Sequence, residues 1–388
     1  MCTRILTESG NKTRTTGRNM DWHERFETDL WMFPGGMEHI SLKEQKIKNF
    51  TWTSKFKSVM ACPAFSNVPG HESEKKIIAP CDGINEQGLS ANILWLADSC
   101  YHLDNMPYDR ETLYLSIGMW TKYMLDNYAS VDEAVKDWIA KPYEIVGIYL
   151  KAPAVNQMIK CHLSLSDAEG GSAIFEYYAD TDNEQPKLHI TTNLTDVYST
   201  DKVKVTAGVK CAVMTNSPVY EIQRQLYDYW KWNWNVSVNT TWQNANFMQK
   251  IRTLPGTSYS TDRFVRTCHY LERMTIETDA QKQILQTFSL LRNTATPTGY
   301  ALEENASFHT SPTLWASVAD NTHLVYYFHS TDYPFPVWID LTVLFVGAPV
   351  IFTRSGKDCK IYGDITNNTT FAEPDTYEFL LQGISDNT

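Results

Sequence analysis

The order of extended and helical segments predicts an α+β fold, a layered body in which two sheets are covered by helices. Three observations carry that prediction. Strand-like runs crowd the first hundred residues and return near the end of the chain, helical stretches come in pairs between them, and no linker rich in Gly, Pro or Ser divides the 388 residues. A single domain over residues 1–388 follows. Its 43% hydrophobic content, with 12 Trp, 21 Tyr and 16 Phe, supplies a large core.

Taken in order, Cys2 to Leu6 and Arg14 to Met20 read as two strands, joined by the turn-forming Glu8-Ser9-Gly10-Asn11-Lys12 as a hairpin. Cys81 to Leu89 reads as a tight turn leading into a strand over Ser90 to Leu96. Asp109 to Asn127 places Leu113, Ile117, Trp120 and Met124 at helical spacing, and Ser130 caps a second helix over Val131 to Ile139. Strands follow at Val146 to Leu150, Lys160 to Leu165 and Ser172 to Tyr178, the last two joined by a turn at Asp167 to Gly171. In the second half Cys211 to Asn216 reads as a strand, and Tyr220 to Tyr229, Asp262 to Met274 and Thr278 to Leu291 as helices. Thr313 to Val318, His323 to Phe328 and Val337 to Leu341 complete the strand set. The aromatic run Tyr227 to Asn235 alternates Trp230, Trp232 and Trp234 with polar residues, which reads as an extended ribbon with one aromatic face, used for packing or contact.

A formal charge of -11 without a dense Lys/Arg run argues against nucleic acid as a partner. The chain shows no run of eighteen apolar residues and no apolar start, so neither a membrane span nor a signal peptide is read. The chain as it stands reads as cytoplasmic; a periplasmic or secreted parent trimmed to Cys2 would look the same. The eight cysteines lack CxxC spacing and the ten histidines form no HxH or HExxH, so no metal and no cofactor is expected. Reduced, mostly structural thiols are the default, with Cys211 before Ala212-Val213-Met214 the clearest core thiol. Eight Asn-x-Ser/Thr sites, Asn235 and Asn239 among them, fit the Asn- and Thr-rich composition and do not by themselves indicate glycosylation.

The chemistry points to the start of the chain. Removal of Met1 would put a thiol and a free α-amine on Cys2, a nucleophile and a base in one residue, since an α-amine titrates near 7.7–8.0. The hairpin returns Arg18 and Asp21 beside it. A fixed guanidinium can hold a thiolate or a substrate carboxylate, and Asp21 can accept from the α-ammonium.

Five ordered pieces then resemble the choloylglycine hydrolase family of conjugated bile salt hydrolases and penicillin V acylases. They are Met1-Cys2-Thr3-Arg4, Gly17 to Trp22, Asp82 to Leu89, Met214 to Pro218 and Asp262 to Arg266. The resemblance implies a four-layer αββα sandwich of the N-terminal-nucleophile hydrolase type and cleavage of a linear carbon–nitrogen amide bond. It further implies Cys2 as nucleophile, Arg18 and Asp21 as its orienting groups, Asn216 as the oxyanion-stabilising side chain, a backbone N–H near Trp95 as its companion, and Arg263 as the active-site arginine. A small-molecule N-acyl amide is the implied partner, and a homo-oligomer, commonly a tetramer, the implied assembly.

The pattern Asp29 to Gly36 is closer to the Gram-negative penicillin-V-acylase-like group, which is also linked to N-acyl-homoserine lactones. Trp22 and Trp95 read as substrate-binding walls for a flat or linear acyl group, with ordinary core packing as their competing reading. The alternative substrate is a conjugated bile salt. From another class, an aromatic-rich carbohydrate-binding module would account for the tryptophans, and a glycosidase would need an opposed carboxylate pair, for which Asp21 and Glu176 are the pair to raise.

Overall fold

The computed structural model describes residues 2–43, 49–65, 75–101, 109–141, 143–152, 155–181, 185–236, 253–299, 311–343, 348–352 and 361–381. Met1, the Asn239 site and Cys359 lie outside the described residues. The first sheet contains β1 (Thr3–Glu8) and β2 (Arg14–Asp21), and runs Val213–Met214, β1, β2, Thr313–Asp320, Val325–Ser330, Val337–Asp340 and Gly363–Asp364. The second runs Val203–Thr206, Lys187–Thr192, Ser172–Tyr178, Cys161–Ser166, Ser90–Trp95, Asp82–Asn85, Ser58–Phe65, Glu27–Phe33, Val350–Phe352 and Thr370–Phe371. Helices α1 (Trp120–Asn127) and α2 (Val131–Ala140) pack on the second sheet. Of α3 (Tyr220–Val236), α4 (Ser260–Leu271) and α5 (Ala280–Thr294), the last two pack on the first sheet and α3 packs on α4. The layers are therefore αββα.

Strand alternation decides what meets what. On β2, Arg18 points inward and donates to the Cys81 carbonyl of the second sheet at 2.8 Å. Its neighbour Asn19 points outward and donates to the Leu291 carbonyl of α5 at 2.7 Å. Gly17 lies on that outward face, where a Cβ would come within 2.7 Å of the Thr287 methyl. The absence of a side chain there lets α5 seat. Ile284, Phe288 and Leu291 of that helix bury against Ile5 and Val318, each worth about 1.5–3 kcal/mol when fully covered.

Several expectations hold closely. Ser172–Tyr178 is a strand as read, and the Ser130 hydroxyl accepts from the Glu133 N–H at the start of α2. Others need correction. The helix expected over Asp109 to Asn127 begins only at Trp120, because Leu113–Ser116 pairs in parallel with Tyr143–Val146. The Ser116 side chain accepts from the Gly118 N–H and opens a short 3-10 turn between them. The strand expected over Val146 to Leu150 is split into Tyr143–Val146 and Tyr149–Ala152, and Cys211 to Asn216 shortens to Val213–Met214. The Cys81 to Leu89 turn narrows to Glu86–Gly88, preceded by strand Asp82–Asn85, with Gly88 at φ +80° close under the Asn321 carbonyl.

The aromatic run is helix, not ribbon. Tyr227, Trp230 and Trp234 recur at the three- and four-residue spacing of one helical face and pack on the body, whereas Tyr229 and Trp232 face solvent. Two periods were superposed there, and helix propensity with a packing face outweighed the alternation.

Candidate active site

The β1–β2 register pairs Thr3 with Asn19 and Arg4 with Arg18. Cys2 therefore sits across from Met20, its Sγ 3.8 Å from the Met20 sulfur. The Arg18 Nη2 lies 3.8 Å from the Cys2 Sγ, while Nη1 donates to the Cys81 carbonyl and stands 3.5 Å from Asp82. Burial opposes the Arg18 charge, but Cys81, Cys2 and Asp82 outweigh it and hold the guanidinium above its ordinary range. Burial pushes the Cys81 thiol up to about 12, against the pull of Arg18. The face of Trp315, 5.0 Å from the guanidinium carbon, completes the enclosure.

Arg263 ties the chain start to Asn216 and to its own loop, its Nε donating to the Ser258 carbonyl at 2.9 Å. From α4 its Nη1 donates to the Cys2 carbonyl at 2.8 Å and the Thr3 hydroxyl at 2.6 Å, and lies 3.3 Å from Asp21. Its Nη2 donates to the Asn216 Oδ1 at 2.9 Å. Burial lowers its pKa, opposed by Asp21 and Cys2. Asp21 shows the mirror behaviour: burial raises its pKa, with Arg263 and the Thr313 hydroxyl, 2.6 Å away, pulling it back.

Asn216 is oriented by its partners. Its Oδ1 accepts from the Cys2 N–H and from Arg263, which turns its amide nitrogen to the Trp95 carbonyl at 2.7 Å. The peptide N–H of Cys2 thus meets Asn216. The five polar residues expected from the sequence, Cys2, Arg18, Asp21, Asn216 and Arg263, fall into one connected cluster between the first sheet and its neighbours.

Cys2 opens on an apolar cavity of about 110 Å³ lined by Trp22, Trp95, Phe26, Ile93 and Met20 among others. Trp22 and Trp95 meet edge to face with centroids 5.5 Å apart, so both expected walls are brought to the same place.

Sequence reasoning missed the supports. Asp82 accepts from the Tyr326 hydroxyl at 2.6 Å, Asn92 at 2.9 Å and Ser317 at 3.1 Å, spanning both sheets beneath Arg18. Its pKa is raised by burial and drawn back by Arg18. Glu176, raised as one of a glycosidase pair, meets the His162 Nδ1 at 2.8 Å and takes the Tyr220 N–H of α3 at 3.1 Å. The other nitrogen of His162 meets the Thr215 carbonyl at 2.7 Å, so this pair braces the segment that carries Asn216. Asp82 heads one of the five ordered pieces and Glu176 was raised as a carboxylate, but nothing in the sequence gave either its bracing role.

Among the described residues no group of three or more His, Cys, Asp and Glu is placed to hold a metal ion. The seven described cysteines, Cys2 included, carry free thiols, and no described helix is long and apolar enough to cross a membrane.

The αββα body is the fold of the N-terminal-nucleophile hydrolases. The sequence model of the linear amide C-N hydrolases, choloylglycine hydrolase family, matches residues 2–345. This chain belongs to that family. It is 34% identical over 348 residues to the penicillin V acylase of Pectobacterium atrosepticum, a match covering 84% of this chain and 76% of that protein. The structure of penicillin V acylase from Agrobacterium tumefaciens superposes with a TM-score of 0.71 at 32% identity, covering 98% of this chain and all of the other. A mutant conjugated bile acid hydrolase from Clostridium perfringens gives a TM-score of 0.67 at 18% identity over 92% of this chain and 98% of its own, a likeness of fold.

Proposed function

We propose that this linear amide hydrolase cleaves the acyl side-chain amide of penicillin V and of N-acyl amides with linear acyl groups, N-acyl-homoserine lactones included. Cys2 is the nucleophile in this reading. The observation that carries it is that the Cys2 thiol opens on an apolar cavity while its own nitrogen and carbonyl are pinned by Asn216 and Arg263. With Met1 removed, the α-amine takes the thiol proton as Sγ bonds to the acyl carbon. The carbonyl oxygen gains charge. One proton of the Asn216 amide is spent on Trp95, and the other is the donor this reading uses. Leu96 donates to the Lys160 carbonyl, so strand alternation turns the Trp95 N–H to the opposite edge, the side of the Ala79–Pro80 cavity wall. That N–H is the second donor. The C–N bond then breaks as the α-ammonium protonates the leaving amine. Water, deprotonated by the regenerated amine, attacks the thioester to release the acid and restore the thiol.

Cys2→Ala is expected to lower penicillin V hydrolysis at least about 10⁴-fold with folding retained, and Cys2→Ser to slow acylation severely at nearly equal size. An Ala variant with near-full turnover overturns the assignment. Intact mass set against active-site titration tests the amine: protein retaining Met1 is expected to be folded and inactive.

A further inference from the structure

The far end of the chain also reaches the cavity. Strand Tyr377–Phe379 lies parallel to Lys76–Ile78, and the Leu380 N–H extends the ladder to the Ile78 carbonyl at 3.0 Å. The Ser116 hydroxyl donates to the Leu380 carbonyl at 3.1 Å. Aromatic contacts fasten the strand to the second sheet, Tyr377 to Trp31 at 4.6 Å and Phe379 to Phe33 at 5.7 Å between centroids. The turn at Gly118 closes on the same point, where a Cβ would lie 2.2 Å from the Leu380 carbonyl oxygen. Leu380 is 3% exposed and lines the cavity on which Cys2 opens, together with Ile117 and Gly118. It lies beyond residue 345, where the family match ends, so this part of the wall is written in a segment the family pattern does not describe.

We propose that Leu380 is a specificity-determining residue, and that the chain end sets how long an acyl group the site accepts. The inference rests on the acyl-donor reading above. Each methylene that finds apolar cover changes binding about fourfold, so removing or adding side-chain volume at Leu380 shifts the acyl preference without touching Cys2 or its polar partners.

The test uses one amine, 6-aminopenicillanic acid, acylated with butanoyl, octanoyl, dodecanoyl and phenoxyacetyl groups. The quantity read is the ratio of kcat/KM for dodecanoyl over butanoyl. Leu380→Ala is expected to raise that ratio about tenfold, chiefly through KM, and Leu380→Phe to lower it about tenfold. Leu380→Val is the milder arm, moving the ratio about fourfold in the same direction as Ala, and decides the matter if the Ala variant does not fold. A purely structural role depresses all donors alike, and a ratio unmoved in the folded variants overturns the proposal. If the wild-type chain hydrolyses none of the series, the acylase reading itself fails and this inference goes with it; hydrolysis with a fixed order of donors sinks the Leu380 wall alone.

Discussion

Among the described residues, Arg or Lys pairs with a carboxylate in full burial at two places, and only one of these faces a cavity. Around Cys2, Arg18 faces Asp82 and Arg263 faces Asp21. Under α1, the Lys122 ammonium stands 2.6 Å from Asp126 and 4.5 Å from the centre of the Phe33 ring, with the Trp52 N–H on the other Asp126 oxygen at 2.8 Å. Desolvation weighs on both. Burial raises the pKa of Asp126 as it does those of Asp21 and Asp82. The difference is what the charges face. Lys122 ends on an aromatic ring and a carboxylate, a closed arrangement, whereas Arg18 has one edge on Asp82 and the other on a thiol that opens on a cavity. Burial of charge marks strain to be compensated; a nucleophile and a cavity beside it mark function.

The strongest test of that contrast substitutes the two cations in parallel. Arg18→Met and Lys122→Met should each cost about 3–5 kcal/mol in urea unfolding, because each strands a buried carboxylate. Activity separates them. Per folded molecule, Arg18→Met is expected to lose about 10³-fold or more in penicillin V kcat/KM, roughly 4 kcal/mol, while Lys122→Met stays within about twofold. Equal losses would show that the helix-side pair is coupled to the chemistry. A double change, Lys122→Met with Asp126→Leu, is expected to recover most of the lost stability, since a packed apolar pair of similar volume replaces a buried ion pair at little cost.

The next effect depends on pH. His39 lies beside this second cluster, and burial together with Lys122 lowers its pKa to about 3. An unfolded imidazole titrates near 6.5, so between that value and about 3 the unfolded chain holds the extra proton and stability falls as pH falls. From pH 7 to 5 this group should cost about 2 kcal/mol, visible as a lower urea midpoint. His39→Gln is expected to flatten that slope; an unchanged slope would place the acid sensitivity elsewhere. The smallest effect belongs to the cavity. Trp95→Ala should lower penicillin V kcat/KM about tenfold, near 1.4 kcal/mol, and lower any turnover of bile conjugates less, measured on one preparation.

Strands such as Arg14–Asp21, Ser90–Trp95 and Ser172–Tyr178 were legible in the sequence because alternation, turn residues and caps are local signals, whereas Glu27–Phe33, Ser58–Phe65 and Lys187–Thr192 were not read and their order in the sheet depends on distant partners. Where two local signals overlapped, at Tyr227 to Asn235 and at Asp109 to Trp120, the outcome hung on partners far along the chain: α4 in one case and Tyr143–Val146 in the other. The polar cluster around Cys2 was found through ordered motifs rather than geometry. Its supports were not. Nothing local to Asp82 announces Tyr326 or Ser317, because those contacts cross between sheets, and nothing near Leu380 announces Cys2. Asn216, too, comes near the Cys2 peptide nitrogen only when Val213–Met214 pairs with β1.

The hydrogen bond between Thr313 and Asp21 joins positions 292 residues apart, and the strand that Thr313 begins forms the second flank of β2. During synthesis the thiol and β2 are made well before the strand that completes their enclosure. At about 5–20 residues per second, β2 waits some 15–60 s with one edge unpaired. Throughout that interval the cysteine, the arginine and the open edge are presented to the cellular milieu, so the yield of active protein should respond to chaperone supply and to oxidants during translation more than to either in the finished fold.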